Sequence, residues 1–214
     1  MDNSIIKNIE ELKNFKKRNF VESFELGVTL KDIDMVDPKN RITEEIILPN
    51  GRGKDIKVAI IASEEMLSKA KNADFLYSLE DLNNFSDDKK SFKKIVKNID
   101  FFVAESSMMA SIGKNLGIIL GPRGKIPKPV PPGQDPSVLI DNLKKSVRIR
   151  SRDKKTFQVA FGTLDMSNDD LYSNINTILK RVISRLDKGK GNILSAYIKT
   201  TMSKAIKINL GDIE

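Results

Sequence analysis

The sequence predicts an α+β domain assembled from both ends of the chain. An α/β domain is inserted in its middle, as a parallel sheet with helices on both faces. Three observations lead there. Residues 20–30 and 147–163 alternate apolar with polar or basic side chains, the period of a strand with one buried face. Between them, short continuous apolar runs such as "IKVAIIA" alternate with helical stretches, as strands covered on both sides require. The junction "LPNGRGK" is a glycine-containing linker where one rhythm gives way to the other. The expected boundaries are 1–55 with 151–214 for the outer domain and 56–150 for the inner one. Hinges are expected near 50–54 and 150–153, using Gly51, Gly53 and Arg152.

Along the chain, Ile5, Ile9, Leu12 and Phe15 or Lys16 recur at helical spacing and predict a helix over 4–16. In "FVESFELGVTL", Phe20, Phe24, Leu26, Val28 and Leu30 share the buried strand face, and Val21, Ser23, Glu25, Gly27 and Thr29 the open one. "DPKN" turns the chain into a second strand, "EEIILP". Ser63 is placed to cap the helix after "IKVAIIA", with Glu64 and Glu65 in its first turn. "DFLYS" is a strand, 87–98 a helix with Phe92, Ile95, Val96 and Ile99 on one side, and "DFFVA" a strand. Helices are expected over 106–116 and 136–146. Leu171, Ile175, Ile178, Leu179 and Val182 then mark a long amphipathic helix opened by Ser167 or Asn168. "ILSAYIKTTM" and "AIKINL" are closing strands.

Composition narrows the chemistry. There is no cysteine and no histidine among 214 residues, which removes disulfides, thiolate metal sites and every His-dependent catalytic arrangement. No cofactor is expected. No run approaches 18 apolar residues, so no membrane span is expected, and the amphipathic start does not read as a secretory signal. The expected location is the cytoplasm. The net charge of +8 favours a polyanionic partner, the bland alternative being a lysine-rich proteome.

The stretch "LGPRGKIPKPVPPG", 120–133, raises a choice between phosphate cradle and RNA contact. A P-loop ending at Gly124-Lys125 would need glycine at Ile119 and a hydroxyl residue at Ile126. The dinucleotide fingerprint fails too, since Gly113, Gly117, Gly121 and Gly124 are never separated by a single residue. Five prolines stiffen the segment, and Arg123, Lys125 and Lys128 project from it, suited either to a phosphate backbone, as a second RNA surface for a partner such as tRNA, or to plain solvation. An α/β enzyme acting on a phosphorylated substrate in the interdomain cleft is the competing class.

"LGPRGKIPKPVP" resembles the signature of the ribosomal protein L-one family in its archaeal form. "RNFVESFEL", "LPNGRGK", "FGTLDM" followed by "LYSNI", and "YIKTTM" are similar to family motifs in the same order. The resemblance implies a non-enzymatic protein of the large ribosomal subunit. Its outer domain would bind stalk rRNA, and its inserted Rossmann-like domain would bind no nucleotide. It further implies movement and release of exit-site tRNA, and repression of the protein's own mRNA through a similar hairpin. A monomer is expected outside the ribosome.

By motif position the resemblance transfers rRNA contacts to Phe20, Ser23, Glu25, Thr201 and Met202, and less firmly to Gln158 and Gly162. Where the family has Gly-Pro after the methionine, this chain has Ser203-Lys204, so that Ser203 either adds a hydroxyl contact to rRNA or marks a different local turn. The chemistry is consistent. Ser23, Thr200 and Thr201 can exchange hydrogen bonds with 2′-hydroxyls and base edges in a shallow RNA minor groove. Glu25 is either a base or ribose acceptor or half of a strand salt bridge, and Met202 either an RNA-facing or a core side chain. Alternation alone puts Phe20 in the core. Lys16, Lys17, Arg18, Arg148, Arg150, Arg152, Lys154 and Lys155 are candidate phosphate contacts. The lysines of "DDKKSFKKIVK" read as a solvated helix face.

Overall fold

A computed structural model describes residues 4–16 and 18–212, so Lys17 lies outside the described residues. In chain order the elements are α1 (Ser4–Lys13), β1 (Ser23–Leu30), β2 (Thr43–Ile47), β3 (Val58–Ile61), α2 (Glu64–Lys69), β4 (Phe75–Tyr77), α3 (Leu79–Asp87), α4 (Lys89–Asn98) and β5 (Phe101–Glu105). There follow α5 (Met109–Arg123), β6 (Lys128–Val130), α6 (Ser137–Lys144), β7 (Ser146–Arg150), β8 (Thr156–Thr163), α7 (Asn168–Arg185), β9 (Ile193–Thr200) and β10 (Ile206–Ile208). The chain divides into two compact units, Met1–Lys54 with Lys145–Glu214, and Asp55–Lys144.

The unit formed from the two ends carries an antiparallel sheet in the order β10-β9-β1-β8. Its strands show the alternation their sequences predict: Phe24, Leu26, Val28 and Leu30 of β1 are buried. They pack with Ile5, Ile9 and Leu12 of α1 and with Leu171, Ile175, Ile178, Leu179 and Val182 of α7 in one apolar cluster. A separate two-stranded ribbon, β2 with β7, adds Ile46, Val147 and Ile149 to that core. This ribbon corrects the expected boundary. Residues 145–150, assigned by sequence to the inserted part, belong to the terminal unit because β7 pairs with β2.

The other unit has a parallel sheet in the order β4-β3-β5-β6. On one face Leu82, Phe92, Val96, Ile112 and Leu116 of α3, α4 and α5 pack on Ala59, Ile61, Phe102 and Ala104. On the other, Met66 of α2 and Ile140 and Leu143 of α6 pack on Val58, Ile60, Phe101 and Val103. These strands are buried on both faces, which explains their continuous apolar runs. The sequence reading missed α3. Its signal is a capping box, with the Ser78 hydroxyl accepting from Asp81 N–H and the Asp81 carboxylate accepting from Ser78 N–H. Ser63 makes no side-chain cap to its helix.

The proline-rich segment differs from expectation. It is not a projecting finger: its first part completes α5, which runs to Arg123 instead of stopping near 116, and its second part is the edge strand β6. Pro122 is tolerated because the carbonyl it leaves without a donor belongs to Ile118, on the exposed side of the helix. Gly124, at φ 66°, ends α5 in the left-handed conformation, with Lys125 N–H donating to Leu120 O at 3.0 Å.

Candidate nucleic-acid interface

The open side of the terminal sheet is a grid set by strand register. Gly27 lies between Gln158 and Tyr197, Glu25 between Ala160 and Lys199, and Thr29 between Thr156 and Ser195. A Cβ added at Gly27 would meet nothing closer than 3.9 Å, so the face sinks at that point. The hollow has a volume of about 180 Å³ and is lined by Glu25, Gly27, Thr29, Thr156, Gln158, Tyr197, Lys199 and Ala205. Its lining combines an aromatic ring, an amide, a carboxylate, an ammonium and hydroxyls. Such a set can stack on a base and exchange hydrogen bonds with base edges and ribose. Among the described residues Glu25 has no ion-pair partner, so the strand salt bridge weighed for it is not formed. Tyr197, Lys199 and Gly27 were not singled out from sequence as site residues. Their signal was the open-face alternation of β9 and β1.

At one end of this face, residues 200–203 form a tight turn built on a buried carboxylate. Glu22, only 3% exposed, accepts from Thr200 Oγ1 at 2.7 Å and from Met202 N–H at 2.8 Å. Thr201 Oγ1 accepts from Ser23 N–H at 3.2 Å and donates to Ser23 O at 3.4 Å. Thr200 N–H donates to Ser203 Oγ at 2.8 Å, and that hydroxyl donates to Lys204 O at 2.9 Å. With the backbone fixed in this way, Thr201 and Met202 stand out from the surface, Met202 at 53% exposure. Ser203 therefore closes the turn through its side chain at the position where the family motif has glycine.

Phe20 departs from the alternation reading while keeping the exposure its transferred role needs, and Ser23, Thr200 and Gly162 sit deeper than the other candidates. Phe20 is 53% exposed and lies before β1, because the strand begins only at Ser23 and the alternation does not reach it. It is thus available to a partner, as is Val21 beside it. Thr200 is buried and gives its hydroxyl proton to Glu22, so it offers no free hydroxyl, whereas the Ser23 hydroxyl, on a residue 9% exposed, makes no hydrogen bond among the described residues. Gly162 is buried on the core side, where a Cβ would run into Leu171 and come within 3.2 Å of Met166 Sδ. It is a packing glycine. Arg18 and Gln158 are exposed.

The expected hinge residues are also held. Gly51 and Gly53 have φ of 64° and 71°, which only glycine adopts freely. The fully buried Asn174 donates through Nδ2 to Gly51 O at 2.8 Å and to Phe161 O at 2.9 Å. A Cβ on Gly53 would strike Thr163 Oγ1 and lie 2.9 Å from Met166 Sδ. These glycines are positioned turn residues. Arg152 is exposed, with φ 52°, and lies beyond β7, away from the crossing at Lys144–Lys145.

The projecting-cation role fails for one of the three loop residues. Lys125 Nζ donates to Val96 O at 2.8 Å and also to Ile99 O, so it caps the C-terminal end of α4. Arg123 is exposed, with only Nη1 returning to Ile119 O of its own helix at 3.1 Å. Lys128 is half-buried on β6. Of the candidate phosphate contacts near β7, Arg148 is engaged with Glu45 at 2.9 Å, whereas Arg150, Lys154 and Lys155 are exposed.

The parallel-sheet unit shows why an anionic substrate is disfavoured there. In such sheets ligands bind at the strand C-termini where strand order reverses, here between β3 and β5. Glu105 occupies that place, accepting from Ser63 N–H at 3.0 Å and from Ser107 Oγ at 2.7 Å. Hydrogen bonds from the Ser63 side chain, Ser63 N–H and Ser107 hold its carboxyl below the usual carboxylate range. A fixed negative charge stands where a phosphate would need donors. Among the described residues no group of His, Cys, Asp or Glu is arranged to hold a metal ion, and no helix is long and apolar enough to cross a membrane.

The family model described as "Ribosomal protein L1p/L10e family" matches residues 12–204. The large ribosomal subunit protein uL1 of Picrophilus torridus is 68% identical over 198 residues, 92% of this chain and 93% of that protein. The uL1 of Thermoplasma acidophilum is 52% identical over 212 residues, 98% of each chain. That of Methanocella arvoryzae is 47% identical over 194 residues, 90% of this chain and 91% of the other.

Proposed function

The chain belongs to the Ribosomal protein L1p/L10e family, and from that premise we propose that its terminal unit reads the stalk rRNA of the large subunit. Membership makes it a non-enzymatic, structural protein of the ribosome's large subunit. The reading surface is the open face of β8, β1 and β9 together with the Thr201–Met202 turn. The observation that carries the proposal is the Glu22-held turn. A buried carboxylate fixes the backbone of residues 200–202, leaving one hydroxyl-bearing and one thioether side chain exposed beside a polar hollow.

The physical logic is shape reading. A flat face of small residues approaches the wide, shallow minor groove of A-form RNA. Gln158 and Glu25 are its hydrogen-bonding groups, with Thr201 Oγ1 keeping one acceptor lone pair beyond its two bonds to the Ser23 backbone, and Met202, Phe20 and Tyr197 offer polarizable or aromatic surface to ribose and base. Glu25 is repelled by phosphates, so its place on the face favours contact with base edges or 2′-hydroxyls. The exposed cations Arg18, Arg150, Lys154 and Lys155 hold register through the phosphate backbone. The same face would take a similar hairpin in the protein's own mRNA, which gives translational repression by competition. Stalk binding is also the basis for assisting exit-site tRNA in its movement and release.

The test is a titration of the full chain against a stalk rRNA fragment and against the same fragment with 2′-deoxy sugars at the paired positions. At least a tenfold loss on removing the hydroxyls is expected. Equal affinity for the two overturns minor-groove reading.

A further inference from the structure

From the lysine array on α4 we propose a second RNA-contact surface, on the parallel-sheet unit, that grips phosphate backbone without regard to sequence. Lys89, Lys90, Lys93, Lys94 and Lys97 are all exposed, while Phe92 and Val96 on the opposite side are buried. Among the described residues none of the five takes part in an ion pair. The helix contains no carboxylate. Asp88 at its start accepts from Lys90 N–H, Ser91 N–H and Ser91 Oγ, so it serves as the cap, and Asp87 is exposed at the end of α3.

This array works against the helix that bears it. Lys89 and Lys93, Lys90 and Lys94, and Lys93 and Lys97 stand at i,i+4, where like charges repel. Lys89 and Lys90 also sit in the first turn, against the helix dipole. The buried apolar side and the Lys125 cap hold α4 together in spite of its charge. A local rule broken without a structural return marks a functional face. Lysines four apart repeat about every 6 Å along the axis, a step comparable to that between successive phosphates of one strand. Lysine is a flexible point charge suited to backbone contact, not to base reading. The exposed positions of α4 carry no aromatic side chain and a single amide, Asn98 at its last position, which fits the same role.

The experiment uses the full chain and an RNA duplex unrelated in sequence to the stalk, titrated over a range of salt. Changing the five lysines to glutamine, which keeps helix propensity, should lower duplex affinity at low salt at least tenfold. It should also reduce the log–log salt slope by about 3–4. In the unsubstituted protein, bound duplex should shield Lys93 and Lys97 from acylation several-fold more than exposed Lys71 of the same unit. This second readout needs no variant. Unchanged slope together with no shielding overturns the proposal. Competition by polyglutamate as effective as by duplex overturns it in favour of an acidic protein partner. Stalk-fragment preference depends on the terminal unit and is read separately, so either surface can fail without the other.

Discussion

Glu22 and Thr200 stand 178 positions apart in the chain, yet the threonine hydroxyl donates to the buried glutamate at 2.7 Å. Through this bond and the 2.8 Å bond from Met202 N–H, the start of the first strand holds the turn that follows the last long one. Replacing Glu22 by Ala removes a charged acceptor from two donors inside the protein. The expected cost is about 2–3 kcal/mol of stability, measured by denaturant unfolding. Preference for the stalk fragment should fall with it. A neutral Glu22→Ala change would show that the turn stands without its clamp.

Gly27 separates function from stability. A side chain there meets only ordinary contacts, at 3.9 Å from Gln158 Cγ and 4.0 Å from Tyr197 O. Gly27→Val should therefore leave the melting temperature unchanged or raised, since glycine inside a strand costs roughly 0.5–1 kcal/mol. It fills the hollow, so stalk-fragment affinity should drop at least fivefold in a binding titration. Gly162→Ala is the converse. Its Cβ collides with Leu171 in the core, and a loss of about 1–3 kcal/mol is expected in the same unfolding assay.

Lys125 is predicted to act on the fold. Lys125→Met leaves Val96 O and Ile99 O without their shared donor. About 1–2 kcal/mol of stability should be lost, with stalk-fragment affinity unaltered within twofold. A selective loss of RNA binding would restore the projecting-cation role inferred from sequence.

Glu105 makes a pH-dependent contribution. Its carboxyl is held low in the fold, so its stabilisation is complete above the unfolded value of roughly 4.3 and disappears as pH falls through the lower folded value. Thermal melts of Glu105→Gln across the acid range should be flatter than those of the unsubstituted protein and should start from lower stability at neutral pH.

Most elements were legible because their signal is local. The alternation in 23–30, the apolar run at 58–61 and the helical spacing of Leu171 to Val182 each declare a buried face within a few residues. What escaped depends on partners far away. Nothing near Glu22 or Asn174 announces that they are buried, since the bonds of Glu22 go to residues 178 and 180 positions distant and those of Asn174 to residues 13 and 123 positions distant. Thr200 and Thr201 are adjacent and chemically identical, and the first is enclosed because it ends β9 against Glu22 while the second is exposed because it opens the turn. The segment at 120–133 misled because proline and glycine suggest a loop, whereas Pro122 sits where the lost hydrogen bond faces solvent and Pro129 lies on an edge strand.

The decisive comparison is the affinity of the full chain and of its Thr201→Ala, Met202→Ala double variant for a stalk rRNA fragment and a scrambled duplex at one salt concentration. Loss of about 1–3 kcal/mol on the fragment is expected, roughly 5- to 150-fold, with duplex affinity unchanged. Equal losses on both RNAs, or none on either, would contradict recognition by the turn and the open face.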